Sequence, residues 1–324
     1  MGSYVSVAVK LTAGAVTVLL GCWLFTSVLE WVGARFGLTA GAVGSVMAAV
    51  ATALPETSVP LVAVAAGFNP GVAEGAILGA PLMLSTLAMG VGGITVGVTS
   101  ALGTREGYVK APHVVTDLKY FLASYGAVLA ATVSGSRIVR IAVSVVLIVV
   151  YVKYVFEIVR KGGSVEEGGV KIEIADPVKA ALVATALLSA GAVLMVGGAD
   201  VFASGLESLA LLLGLSALTV SSLISPVATE LPEKVNSVIW YARGRDELAM
   251  GNVTGAMVFQ ATFPASVGLV LTPWNVTGWK LTYILVPLAA SGALYARMRL
   301  GDGRVEWWYL CCMAFLYPVP FLRS

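Results

Sequence analysis

The sequence predicts an all-α integral membrane protein: ten transmembrane helices in two inverted five-helix repeats. Three observations carry this expectation. Hydrophobic residues make up 58% of the 324 residues and charged ones only 12%, where soluble domains carry about 25% charged residues. Apolar runs of about 20 residues recur along the chain, long enough to cross a bilayer as helices. They lack the strict alternation of barrel strands. Finally, Val50-Ala51-Thr52-Ala53-Leu54-Pro55-Glu56 returns as Val227-Ala228-Thr229-Glu230-Leu231-Pro232-Glu233, with one residue changed.

Polar breaks divide the apolar runs into spans at 11–30, 41–66, 75–101, 118–134, 138–158, 178–198, 208–241, 249–271, 280–297 and 305–321. The first is read as a retained span, because it lacks a basic leader and a small-residue cleavage site. Runs such as Gly41-Ala42-Val43-Gly44-Ser45 and Gly75-Ala76-Ile77-Leu78-Gly79 are read as helix-packing faces, since small residues let backbones approach where lipid gives no hydrophobic drive. Cys22, Cys311 and Cys312 are read as apolar filler. The five spans of residues 1–158 form the first repeat and those of 178–324 the second. The polar stretch 159–177, with Gly162-Gly163 and Gly168-Gly169, joins them as a simple linker.

Orientation follows from Lys and Arg. Alternate breaks, including the central linker, hold 14 of the 20 basic residues; the opposite side holds five, and Lys234 lies within a span. The linker is therefore expected in the cytoplasm and both termini outside, in a multi-pass protein of the cell membrane. The two motifs lie on the second and seventh spans, and an offset of five spans reverses their direction through the bilayer. A second echo supports the repeat: Glu74-Gly75-Ala76-Ile77-Leu78-Gly79-Ala80 against Met250-Gly251-Asn252-Val253-Thr254-Gly255-Ala256.

The chemistry is expected at the motifs. Of 18 acidic residues, only Glu56, Glu230 and Glu233 fall well inside predicted spans, and Glu74 sits at a span mouth. A carboxylate at that depth is costly and marks an ion path. Pro55 and Pro232 each lack an amide and crowd the carbonyl four residues back, at Ala51 and Ala228, which predicts two interrupted helices lining a cavity. Carboxylates, freed carbonyls and Thr hydroxyls make an all-oxygen cage, suited to calcium before magnesium. Soft metals are disfavoured without Cys or His. Asn252 and Gln260 read either as further ligands or as packing amides. Glu230 reads either as a third ligand, sharing a proton with the other acids, or as the partner of Lys234 four residues on.

At these residues the chain resembles the cation/calcium exchanger superfamily. Ala51-Thr52-Ala53-Leu54-Pro55-Glu56 and Ala228-Thr229-Glu230-Leu231-Pro232-Glu233 are similar to its Gly-Thr-Ser-x-Pro-Glu signatures. The blocks beginning at Gly75 and Gly251 are similar to its Gly-Asn-x-x-Gly-Ser block. The resemblance implies that Glu56 and Glu233 are the principal calcium ligands, that Thr52 and Thr229 add backbone oxygen, and that the first and sixth spans slide past a core of the second, third, seventh and eighth. It also implies secondary active antiport of Ca2+ for Na+ or H+ by alternating access. Departures at Ala53, Ala80, Pro81, Ala256, Met257 and Leu84 remove hydroxyl and amide groups that sodium-coupled members use, while Glu230 adds a carboxylate. The transported ions are cargo, so no cofactor is expected; the partners are inorganic cations and the lipid bilayer, and a monomer suffices for transport.

Other readings are weaker. A magnesium or manganese antiporter would use the same scaffold, as would a degenerate member that binds ions without exchanging them. An intramembrane enzyme lacks support: the chain has no His-Glu-x-x-His helix, and Asp117 and Asp200 are read at span edges. A net charge of +2 gives no basis for nucleic-acid binding. His113 is read as a solvated loop residue, and Trp274, Trp279, Trp307, Trp308 and Tyr309 as interface anchors.

Overall fold

A computed structural model describes residues 2–35, 56–160 and 176–323. The chain is mostly helical. The helices are α1 (Gly2–Arg35), α2 (Glu56–Ala65), α3 (Pro70–Ala101), α4 (Val114–Ser134), α5 (Arg137–Arg160), α6 (Pro177–Leu213), α7 (Ala217–Ala242), α8 (Asp246–Leu271), α9 (Thr282–Leu300) and α10 (Trp307–Ala314). Among the described residues, seven helices are long and apolar enough to cross a membrane, and two shorter apolar helices cover Glu56–Ala65 and Trp307–Leu322. α7, which carries Glu230, Glu233 and Lys234 within five positions, is not one of the seven.

Several ends differ from the sequence expectation, and local chemistry explains why. α6 runs to Leu213 instead of stopping near 198, so Asp200 and Glu207 lie inside a helix. It stops at Gly214, whose φ of 65° is left-handed and open to glycine without strain. Ser216 then caps α7, its hydroxyl accepting from Thr219 N at 3.1 Å. α3 starts at Pro70 rather than 75, because Asn69 Oδ1 accepts from Gly71 N at 2.9 Å and proline is suited to the first helical position. Within α3, Pro81 is followed by a π-helical segment at Leu84–Ala88, where Ser85 Oγ donates to Pro81 O at 2.7 Å.

Two apolar clusters organise the packing. One joins α1, α2, the start of α3 and α6; the other joins the rest of α3 with α4, α5, α8, α9 and α10. α1 lies along α6 at very short range: a methyl added to Gly14 would sit 2.6 Å from Phe202 N, and one on Gly198 2.7 Å from Val18 N. α3 lies equally close to α7. Beyond this centre, α8 packs on α4 and α5 while α3 packs on α9 and α10.

At one end, the loop after α3 meets the loop after α9. β1 (Tyr108–Lys110) pairs antiparallel with β2 (Arg304–Glu306), with Val109 opposite Val305. Arg105 fastens this end to the α7–α8 turn through Asp246 at 2.8 Å, and Asp246 Oδ2 accepts from Lys110 N at 2.9 Å. At the opposite end, Asn69, Glu74, Glu207, Ser216, Asn275 and Lys280 line a cavity of about 370 Å³. Trp274 also lies there, but not as an interface anchor: it is 5% exposed, packs under Gly268 and donates from Nε1 to Thr132 Oγ1 at 2.8 Å. Trp307 and Trp308 are exposed, as an anchoring role requires.

A buried carboxylate–amide–ammonium cluster

Glu56 is the first described residue of α2, and its side chain is buried. Glu230 lies in the middle of α7 and is fully buried. Gln260 on α8 brings the two together: its Nε2 donates to Glu56 Oε2 and, at 3.1 Å, to Glu230 Oε1. One primary amide has two N–H groups, so each carboxylate takes one. The other oxygen of Glu230, Oε2, faces Lys234 Nζ at 3.4 Å across one helical turn. Four side chains from three helices thus form one buried polar cluster where the sequence places its first acid motif beside its second.

The remaining expected site residues stand differently. Glu233 belongs to α7 by its backbone, and its side chain lies outside the described residues, as does all of Thr52. Thr229 is buried, and its hydroxyl turns back to Ser225 O at 3.0 Å within its own helix. Asn252 donates to Ser237 Oγ at 2.9 Å, bridging α8 to α7. Gln260 is therefore the amide that joins the carboxylates. The expected interruption at Pro232 is not found: α7 stays helical through Pro226 and Pro232, held by its packing along α3. The matching break at Pro55 lies outside the described residues. Among those residues no three His, Cys, Asp or Glu side chains converge, so any cation here would meet two carboxylates and an amide before the contribution of Glu233.

A second polar contact was not anticipated. Asp117 lies in the first turn of α4 but is buried, so its placement at a span edge gave no hint of a partner. Thr254 Oγ1 of α8 donates to Asp117 Oδ2 at 2.6 Å, and the Tyr154 hydroxyl of α5 donates to Oδ1 at 3.1 Å. This carboxylate ties α8 to the two helices behind it. Glu74, read at a span mouth, is also buried and accepts from Asn275 N at 3.2 Å.

Comparisons with known proteins agree with this architecture. The profile of the family described as sodium/calcium exchanger protein matches residues 6–159 and 183–322. A protein assigned as an antiporter, CaxA of Alkalimonas amylolytica, is 28% identical over 124 residues, 37% of this chain. The match spans about two-fifths (39%) of that relative's length. Among solved structures, an H+/Ca2+ exchanger, CAX, superposes with a TM-score of 0.73 at 16% identity, covering 98% of this chain and 82% of that one. The sodium-calcium exchanger NCX_Mj superposes with a TM-score of 0.55 at 20% identity, covering 99% of both chains. Both likenesses speak for the fold. With the profile covering nearly the whole length and the apolar helices of a multi-pass membrane protein, the chain belongs to the sodium/calcium exchanger protein family.

Proposed function

We propose that the protein is a secondary active antiporter that moves Ca2+ in exchange for Na+ or H+ by alternating access. The observation that carries this reading is the shared amide of Gln260, which holds Glu56 of α2 and Glu230 of α7 at one buried point. Buried carboxylates in an apolar bundle are held at a cost that ion binding repays. Glu56, Glu230 and Glu233 would supply charged oxygen to the cation, and Thr52 and Thr229 backbone oxygen; Gln260, through Oε1, and Asn252 would complete an all-oxygen shell suited to calcium.

The wider reading has ten spans in two inverted repeats, residues 1–158 and 178–324. Mirrored packing supports it: α8 lies against α4 and α5, as α3 lies against α9 and α10. The proposed cytoplasmic face is the end where Arg105, Lys110 and Arg304 gather around the β1–β2 pair, with the termini outside and the 159–177 linker inside. The test is 45Ca2+ uptake into proteoliposomes holding the purified protein, with sodium and proton gradients imposed separately. Uptake under one gradient is expected, and Glu56→Gln and Glu233→Gln should each reduce it to the rate of empty vesicles. Full uptake in either variant would sink this reading; uptake of Mg2+ or Mn2+ in place of Ca2+ would reassign the cargo on the same site.

A further inference from the structure

Lys234 stands apart from everything the antiporter reading requires. Its ammonium is buried, 3.4 Å from Glu230 Oε2. Neither atom makes a hydrogen bond to any described residue. A buried ion pair stabilises a fold only when its geometry is good and its spare donors and acceptors are satisfied. This one fails on both counts, so it is a poor staple. It is, however, well placed for something else. Gln260 donates to Glu230 Oε1, while Oε2 carries no hydrogen bond to a described residue and is the oxygen that an incoming cation would take. The only positive charge facing it among the described residues is the ammonium of Lys234.

We infer that Lys234 is a tethered counter-cation: its ammonium occupies the Glu230 oxygen in the cation-free half of the transport cycle and yields it to the transported divalent ion in the other. This rests on the antiporter reading and deepens it. An antiporter returns across its barrier only when the charge of its site is compensated, usually by the second ion. Here a covalently attached ammonium compensates Glu230 itself, on a flexible four-carbon stem. Rotation of that stem frees Oε2, and the hydroxyl of Ser237, one turn further along α7 and already facing Asn252, offers the displaced ammonium an acceptor. Two consequences follow. The ammonium competes with the divalent ion, so the wild-type site binds it more weakly than its carboxylates allow. It also takes over part of the counter-ion's work, so the return step needs less inorganic cation.

The experiment compares purified wild-type protein, Lys234→Met and Lys234→Arg, with Ca2+ binding by titration calorimetry and two fluxes in proteoliposomes. Lys234→Met is expected to bind Ca2+ at least about tenfold more tightly. It should keep Ca2+/Ca2+ exchange but lose at least about tenfold in gradient-driven net uptake, because the return step lacks its cation. Lys234→Arg, which keeps a tethered charge, should stay within about threefold of wild type on both measures. If Lys234→Met is unstable because Glu230 is left alone, the comparison of Glu230→Gln with Glu230→Gln/Lys234→Met replaces it. Removing the ammonium should then recover at least about tenfold in affinity. Affinity and net uptake unchanged by Lys234→Met, or no recovery in the double variant, would overturn the inference. Absence of Ca2+ binding and flux in the wild type would instead overturn the antiporter reading beneath it.

Discussion

On α3, the glycines of Gly75-Ala76-Ile77-Leu78-Gly79-Ala80 press against backbone: a methyl on Gly79 would lie 2.6 Å from Ser222 Cα of α7. On α8, the corresponding Gly255 has only the Tyr154 hydroxyl nearby, 3.6 Å from such a methyl. Where α3 ends its block with Leu84, fully buried among apolar neighbours, α8 ends with Gln260, which grips two carboxylates. The first copy has become a dry packing surface and the second has kept the polar chemistry. Two stretches of similar sequence thus do different work: one packs tightly against α7 while the other joins the two buried carboxylates.

Swapping the closing residues breaks this division most directly. Gln260→Leu leaves Glu56 and Glu230 without their common donor, and Ca2+-dependent uptake should fall at least about tenfold, as expected for losing a hydrogen bond to charged groups. Leu84→Gln should instead act on the fold, burying an amide without a partner and lowering stability by about 1–3 kcal/mol in thermal unfolding in detergent. An increase in uptake from Leu84→Gln would mean that α3 still faces the ion path. The glycine pair gives a smaller contrast. Gly79→Ala should destabilise by about 1–3 kcal/mol through overpacking against α7, whereas Gly255→Ala should stay within about 0.5 kcal/mol.

The smallest effect concerns the ends rather than the centre. At the β1–β2 end, Arg297 Nε donates to Glu306 Oε2 at 3.0 Å, and both side chains are partly exposed. Partial burial pushes the Glu306 carboxyl up, but the Arg297 guanidinium outweighs it and holds the group below its ordinary value. A depressed carboxylate contributes stability above its unfolded pKa of about 4.3, and that contribution disappears as pH falls through the lower folded value. Glu306→Gln should therefore cost less than about 1 kcal/mol at neutral pH and nothing in acid, read from unfolding midpoints across pH.

The helical membrane class, the family and the two acid motifs were legible because charge is scarce in an apolar chain and its few intramembrane positions stand out; against ten expected spans, seven helices among the described residues are long and apolar enough to cross a membrane. The Glu230–Lys234 contact followed from spacing alone, since residues four apart on a helix are neighbours. Gln260 was visible only as an ambiguous amide; its role depends on α2 and α8 meeting, which no local pattern encodes. The end of α6 was misplaced because Asp200 and Glu207 look like a polar break, while the signal that stops the helix is Gly214. The contact of Asp117 with Thr254 and Tyr154 was hidden for the same reason as Trp274: a residue near a span end counts as interfacial until tertiary packing covers it.

The β1–β2 pair carries a consequence for how the chain is made. Tyr108 must wait for Glu306, about 200 residues downstream, which at ordinary synthesis speeds is a delay of about 10–40 s. During that time the earlier helices can enter the bilayer, but the loop behind α3 has no strand to pair with. A nascent chain cut short anywhere in α9 would present that loop unpaired to the quality-control machinery at the membrane surface, so a strand made much later also reports on the loop behind α3.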